Sequence, residues 1–170
     1  MEWLWIIAAV LAIFGITVFF GAPYVPSQKR YIDRAFTDLY KLGRDDVLVD
    51  VGSGDGVVLR AASYRGARAI GYEINPFLVL ISRFLSRGDK RVNIAMADFW
   101  HAKLPPDTTV VYAFSVSRDG GRMMRMIQSE ATRLGRTIHF INYGNPLRDL
   151  KPDKTLDAYY LYSFHPLQLS

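Results

Sequence analysis

Asp50, Gly52, Gly54, Gly56 and Glu73 are the residues whose types and spacing could do chemistry, within VLVDVGSGDGVVLRAASYRGARAIGYEINP, Val47 to Pro76. The stretch opens on a short apolar strand, Val47 to Val51. A turn with three glycines follows, then a helix-length segment from Val57 to about Arg65. A second apolar strand, Ala67 to Tyr72, ends on Glu73. A β-turn-α-β unit with glycines in its first turn and an acid closing its second strand is how a nucleotide site is built. Glycine lacks a Cβ, so a ligand can lie against the peptide. The two oxygens of Glu73 can accept hydrogen bonds from a vicinal ribose diol.

Glycine spacing narrows the ligand. Dinucleotide sites want G-x-G-x-x-G, which opens a helix N-terminus to a pyrophosphate. The spacing here is D-x-G-x-G-x-G, and Val57 stands where the third dinucleotide glycine would fall. Asp50 and Asp55 would repel a pyrophosphate and suit a ligand with a cationic amino-acid end. With Glu73 following, the pattern resembles the first two motifs of class I S-adenosylmethionine (SAM) methyltransferases. The resemblance implies a Rossmann-like α/β sheet and SAM as cofactor, held by Asp50, Gly52, Ser53, Gly54, Asp55, Gly56 and Glu73. A glycine-rich turn can also be only a tight connection. The acid and the second strand weigh against that.

The elements that must position these residues follow in order. Gln28 to Leu42 reads as a helix capped by Ser27 and ended by Gly43, with Tyr31, Ile32, Ala35, Phe36, Leu39, Tyr40 and Leu42 on one apolar face. Phe77 to Leu85 reads as a helix that buries Phe77, Leu78, Leu80, Ile81, Phe84 and Leu85. Further strands are expected over Val92–Met96, Thr108–Ser115, Thr137–Tyr143 and Ala158–Phe164, and a helix over Arg122–Leu134, with Met123, Met126, Ile127 and Ala131 inward. This alternation predicts a mostly parallel sheet of about six strands, reduced at its C-terminal side. In such a sheet ligands lie beyond the carboxyl ends of the strands. That brings in Asn75, after Glu73, and Asp98 and Phe99, after the third strand. Asp98 could accept from an adenine amino group, while Phe99 or Trp100 could stack on the base.

Residues 3 to 20 contain one polar side chain, Thr17. As a helix they would span about 27 Å, close to the hydrocarbon core of a bilayer. Trp3 and Trp5 at one end, and Phe19, Phe20 and Tyr24 at the other, suit the interfaces. A core helix would keep a polar stripe, and a signal peptide a basic leader. The expectation is therefore a single-pass anchor over 3–20, a linker and helix over 21–46, and one catalytic domain over 47–170. Lys29, Arg30 and Arg34 follow the apolar run and none precedes it, which puts the domain in the cytoplasm. Cysteine is absent, and His101, His139 and His165 lack ligand spacing, so no metal is expected. Net charge is +5. The arginines suit anionic lipid better than nucleic acid, since no RNA-binding appendage is visible.

A closer resemblance rests on PYVPS, LVDVGSGDG, GYEINPFLV and ADFW. These blocks, between about Pro23 and Trp100, are similar to the small mitochondrial protein-lysine methyltransferases of the adenine nucleotide translocase and ATP synthase c-subunit type and to their prokaryotic relatives. The similarity implies cofactor residues on the Asp50–Gly56 loop, Glu73 and Asp98, with PYVPS over the cofactor. It implies a lysine on a membrane-associated protein as acceptor. No acid and no N-P-P-Y-like motif stands at Phe114 to Ser117, so no catalytic residue transfers. A lipid or quinone acceptor, an RNA acceptor, and a SAM-binding module without turnover are the alternatives.

Overall fold

Val47–Val51 is buried at every position, as a strand covered on both faces must be, and it forms β1 in the middle of the sheet. The computed structural model describes residues 3–6, 29–115 and 119–168. Within them β2 (Arg68–Glu73), β3 (Val92–Met96), β4 (Val110–Ser115), β5 (Ile138–Gly144), β6 (Lys154–Leu156) and β7 (Tyr159–Phe164) complete one sheet in the order β3-β2-β1-β4-β5-β7-β6. The first five strands run parallel, and β7 is antiparallel to both β5 and β6. The chain builds from β1 towards β3 and then restarts on the other side at β4. The switch point therefore lies between β1 and β4, which makes their carboxyl ends the place for a ligand.

Helices cover both faces. On one lie α1 (Lys29–Arg34), the π-helical turn Ala35–Leu39, α2 (Val57–Tyr64) and α3 (Pro76–Leu85), packed over Leu48, Tyr112 and Ile141. On the other, α4 (Gly120–Leu134) sets Met123, Ile127 and Ala131 against Val49, Val111 and Phe140. Ion pairs tie the N-terminal elements down: Arg65 reaches Asp33 at 3.0 Å and Arg34 reaches Asp157 at 2.7 Å.

Several expectations change. The sheet has seven strands, not about six. The addition, β6, is a three-residue edge strand too short and polar to show as an apolar run. Of the helix expected to run from Gln28 to Leu42, the described part is α-helical over Lys29–Arg34, then widens into the π turn and stops at Tyr40, whose backbone is extended. Asp46 explains the stop: its carboxylate accepts from the Tyr40 hydroxyl at 2.8 Å and the Gly43 N–H at 2.9 Å. Gly43 is thus part of the following turn. The Ser27 cap lies outside the described residues.

The α3 expectation is reversed. Val79 and Ser82 are its buried residues, while Phe77, Leu80, Ile81, Phe84 and Leu85 are all exposed. A Cβ on Gly56 would meet Ser82 Oγ at 2.2 Å. So close an approach between the start of α2 and α3 admits only small side chains, and the large ones must turn outward.

Residues 3–6 are helical, with Trp3, Leu4, Trp5 and Ile6 exposed. The rest of the expected anchor, 7–20, lies outside the described residues. Among the described residues no helix is long and apolar enough to cross a membrane.

Candidate active site

The loop after β1 folds back on β2 before it turns. Gly52 N–H and Ser53 N–H both donate to the Tyr72 carbonyl, at 2.9 and 3.1 Å. Gly52 has φ +78°, a left-handed conformation that glycine adopts without strain, and open space where a Cβ would stand. Ser53 faces inward against Gly71, where an added Cβ would come within 2.5 Å of its Oγ. Ser53 therefore serves the site through its backbone. Asp55 accepts from the Val57 N–H at 3.1 Å and is held by Arg60, whose Nη1 donates to its carbonyl at 2.6 Å.

Glu73 closes the loop. Its Oε2 accepts from the Gly54 N–H at 2.9 Å, and its Oε1 from the Asn75 N–H at 2.8 Å. Each carboxylate oxygen has a second lone pair, so the acid can hold the loop and still accept from a diol. Asn75 contributes differently: its Oδ1 accepts from the Phe77 and Leu78 N–H groups and caps α3. Its backbone N–H orients Glu73, and its side chain is spent on the helix.

Asp50 is 3% exposed. Burial first, then the nearby Glu73 and Asp55, raise its pKa well above the ordinary carboxylate value. Asp55 is paired with Arg60 at 3.5 Å, which leaves Asp50 and Glu73 as the buried acids whose repulsion a positively charged ligand would relieve. The sulfonium of SAM and the ammonium of its amino-acid end supply positive charge, and the buried acid, the open face of Gly52 and the spare lone pairs of Glu73 fit such a ligand.

Asp98 comes to the same edge. The Ala97 N–H donates to the Glu73 carbonyl at 3.0 Å, which carries β3 past the end of β2. The Asp98 carboxylate accepts from the Trp100 N–H at 3.0 Å and lies 2.8 Å from His101 Nδ1. The Phe99 and Trp100 rings meet at a 37° tilt with centroids 4.3 Å apart, and the Arg122 guanidinium sits 4.0 Å from the Trp100 centroid. Asp50, Gly52, Gly54, Glu73 and Asp98 thus share one end of the sheet. Ser53 and Asn75 support it from behind.

Sequence reasoning missed the aromatic group on the far side of the switch point. Asp50 pairs with Tyr112 across β1 and β4, and Phe114 is two residues further along the same face of β4. Phe114 pairs with Tyr143 of β5, and Tyr143 with Tyr159 of β7. Their rings follow the register: Phe114 to Tyr143 is 5.5 Å, and Tyr143 stacks on Tyr159 at 4.6 Å. Burial raises the Tyr159 hydroxyl to about 12, so it is a neutral phenol at working pH. Strand alternation could have found this row once the neighbours of β1 and β4 were known.

The strand order and the glycine–acid loop together define a class I SAM-dependent methyltransferase domain. The chain is 31% identical over 119 residues to the ATP synthase c-subunit lysine N-methyltransferase of Xenopus laevis, an alignment covering 68% of this chain and 51% of that protein. It is 44% identical over 62 residues to the adenine nucleotide translocase lysine N-methyltransferase of Mus musculus, covering 36% of this chain and 26% of that protein. The chain therefore spans about half the length, or less, of these curated relatives. Among solved structures it is similar to an RNA methyltransferase from Salinibacter ruber in complex with S-adenosyl-L-homocysteine. That match has a TM-score of 0.73 and 26% identity, and covers 86% of this chain and 97% of that one. No family model matches the chain.

Proposed function

We propose that this protein transfers a methyl group from SAM to the ε-amine of a lysine on a membrane-associated protein, with residues 3–20 as a single-pass anchor and the domain on the cytoplasmic side. One observation carries the cofactor half: the buried Glu73 carboxylate, fixed by the Gly54 and Asn75 N–H groups beside Asp50. Bound SAM supplies a methyl group on a sulfonium sulfur, an electrophile with a good leaving group. What remains for the chain is alignment of the acceptor. A lysine must arrive neutral, against a reference pKa of about 10.4, and Phe114 and Tyr143, the exposed end of the aromatic row, can strip water from the incoming amine, which costs its charged form more than its neutral one. No side chain need act as a dedicated base. The lysine N-methyltransferase relatives named above support the acceptor, and the apolar run with basic residues after it supports the anchor.

An RNA acceptor is the second reading, favoured by the Salinibacter ruber similarity, which spans nearly all of that chain. Labelled SAM, the purified protein and separate membrane-protein, lipid and RNA fractions distinguish the two. Label recovered as methyl-lysine after acid hydrolysis is the expected result. Label in RNA or lipid would overturn the lysine reading and leave the cofactor reading intact.

A further inference from the structure

α3 is amphipathic in the wrong direction for a soluble domain. Its inward face is Val79 and Ser82, followed by the buried Ser86, and the Oγ atoms of both serines find no hydrogen-bond partner. Its outward face is Phe77, Leu80, Ile81, Phe84 and Leu85, positions that recur at helical spacing on one stripe. Leu80 is 63% exposed and Phe84 62%. An exposed apolar stripe of this size marks a surface that meets something apolar.

What stands beside the stripe identifies the occupant. Where α3 ends, the chain turns through Arg87, Lys90 and Arg91, which line an open groove together with Leu85 and Tyr64. Arg87 lies over the Phe84 ring at 4.3 Å, joining the basic rim to the apolar stripe. Tyr64, 90% exposed on α2, stands at the other lip. Asp89 is the acid in this groove, and its Oδ1 accepts from the Arg91 N–H at 3.0 Å. An apolar helical face, an aromatic residue at its margin and three clustered cations are what an anionic bilayer surface takes: acyl chains under the stripe, headgroup phosphates at the rim.

We infer that α3, with Arg87, Lys90 and Arg91, is an interfacial surface that seats the catalytic domain on an anionic bilayer. This deepens the membrane reading of the proposed function and is separable from it, because α3 and residues 3–20 are different parts of the chain. The cofactor loop leads into α2 and Asn75 caps α3, so a domain seated this way would hold its site beside the membrane surface.

The absence of cysteine makes the test direct. Leu80→Cys, Phe84→Cys and, as a control on the exposed side of α4, Ser129→Cys are each labelled with an environment-sensitive fluorophore in the full chain. The proteins are mixed with vesicles of phosphatidylcholine alone or with phosphatidylglycerol. The labels at 80 and 84 should be quenched by a lipid-borne nitroxide and shielded from an aqueous quencher, and the label at 129 should not. Replacing Arg87, Lys90 and Arg91 by Gln should weaken the shielding on anionic vesicles by about fivefold per cation. Labels at 80 and 84 that stay as water-accessible as 129, on vesicles that carry the protein or on none, would overturn the inference. Shielding without vesicles would assign the stripe to a second copy or to this chain's own apolar segment, and equal shielding on neutral vesicles would remove the role of the cations.

Discussion

The two halves of the sheet's carboxyl edge are built on opposite principles. On the β1–β2–β3 side carboxyl groups are gathered: Asp50 and Glu73 are buried, Asp55 is half-buried beside Arg60, and backbone N–H groups hold Glu73 in place. On the β4–β5–β7 side the same row continues as rings, Phe114, Tyr143 and Tyr159, with no acid among them. Under the function proposed above, the cationic cofactor lies against the first set and the acceptor amine against the second. The first half places carboxylates where a positive charge would be relieved, and the second offers rings and no carboxylate. If that division is correct, substitutions on the two sides should separate cofactor affinity from transfer rate.

Glu73→Ala should have the largest effect. On the proposed cofactor site it takes away the acceptor for charge-assisted hydrogen bonds from a ribose diol, together worth about 1.5–3 kcal/mol, or roughly ten- to a hundredfold in SAM affinity. It also strands the Gly54 and Asn75 N–H groups. Calorimetry giving equal SAM affinity for the variant and the parent would end the assignment of this half.

Asp50→Asn sharpens the same half, because it should act on function and stability with opposite signs. The folded Asp50 carboxyl has a pKa above its unfolded value, so the stability it contributes is complete below the unfolded pKa and is lost as pH rises through the folded one. Asn carries no such loss. The variant should be more stable than the parent at neutral pH, by roughly 2–4 °C in Tm for each ~1 kcal/mol relieved. It should nevertheless bind SAM more weakly, by about tenfold, having lost a carboxylate facing the cation. Parent affinity should rise with pH through the same window, while the variant's stays flat. Thermal melts and SAM titrations run from acid to neutral pH read both; a Tm that falls at neutral pH would contradict this account of the buried acid.

Phe114→Ala tests the other half. Its ring is part-exposed and borders Tyr143, so its loss should leave SAM affinity within about twofold and lower transfer by roughly tenfold. An equal loss of cofactor affinity would merge the two halves into one.

The two halves also differ in how far they could be read from residues alone. The cofactor side is local in sequence: Asp50 to Glu73 form one β-turn-α-β unit, and the glycine spacing states its conformation directly. The aromatic side depends on which strands become neighbours. Phe114, Tyr143 and Tyr159 lie on three strands whose register no short motif encodes. α3 shows a different limit. Periodicity identified residues sharing one stripe, but not which stripe faces the sheet. The closeness of Gly56 to Ser82, where a Cβ on the glycine would fall 2.2 Å from the serine Oγ, decides that, and it is a relation between separate elements. The π turn at Ala35–Leu39 was similarly illegible, because Asp46 and Tyr40, which end it, act across a turn.

The smallest effect is expected at Glu130, where stability should change and neither half of the site should. The crossover from β3 to β4 carries no helix, and a clamp on α4 holds it. Glu130 Oε2 accepts from the Leu104 N–H at 2.7 Å, and both oxygens accept from Arg133, at 2.7 and 2.6 Å. Arg133 Nη2 also donates to the Leu104 carbonyl at 2.8 Å. The Arg133 hydrogen bonds first, with help from the Leu104 N–H, lower the Glu130 pKa against the effect of burial. A lowered folded pKa gives stability that is present above the unfolded value and lost as pH falls through the folded one. Glu130→Gln should therefore cost ~1 kcal/mol at pH 7, with the difference from the parent shrinking as the solution is made acidic. Asp98 to Trp100 precede the clamped segment and are fixed by their own turn, through the Asp98–Trp100 and His101–Asp98 hydrogen bonds. SAM affinity should thus stay within about twofold. Denaturant titrations at pH 7 and pH 4, run beside calorimetry, check both claims. A pH-independent stability loss would remove the ionised clamp, and a large fall in SAM affinity would mean that the crossover positions the cofactor side through Leu104.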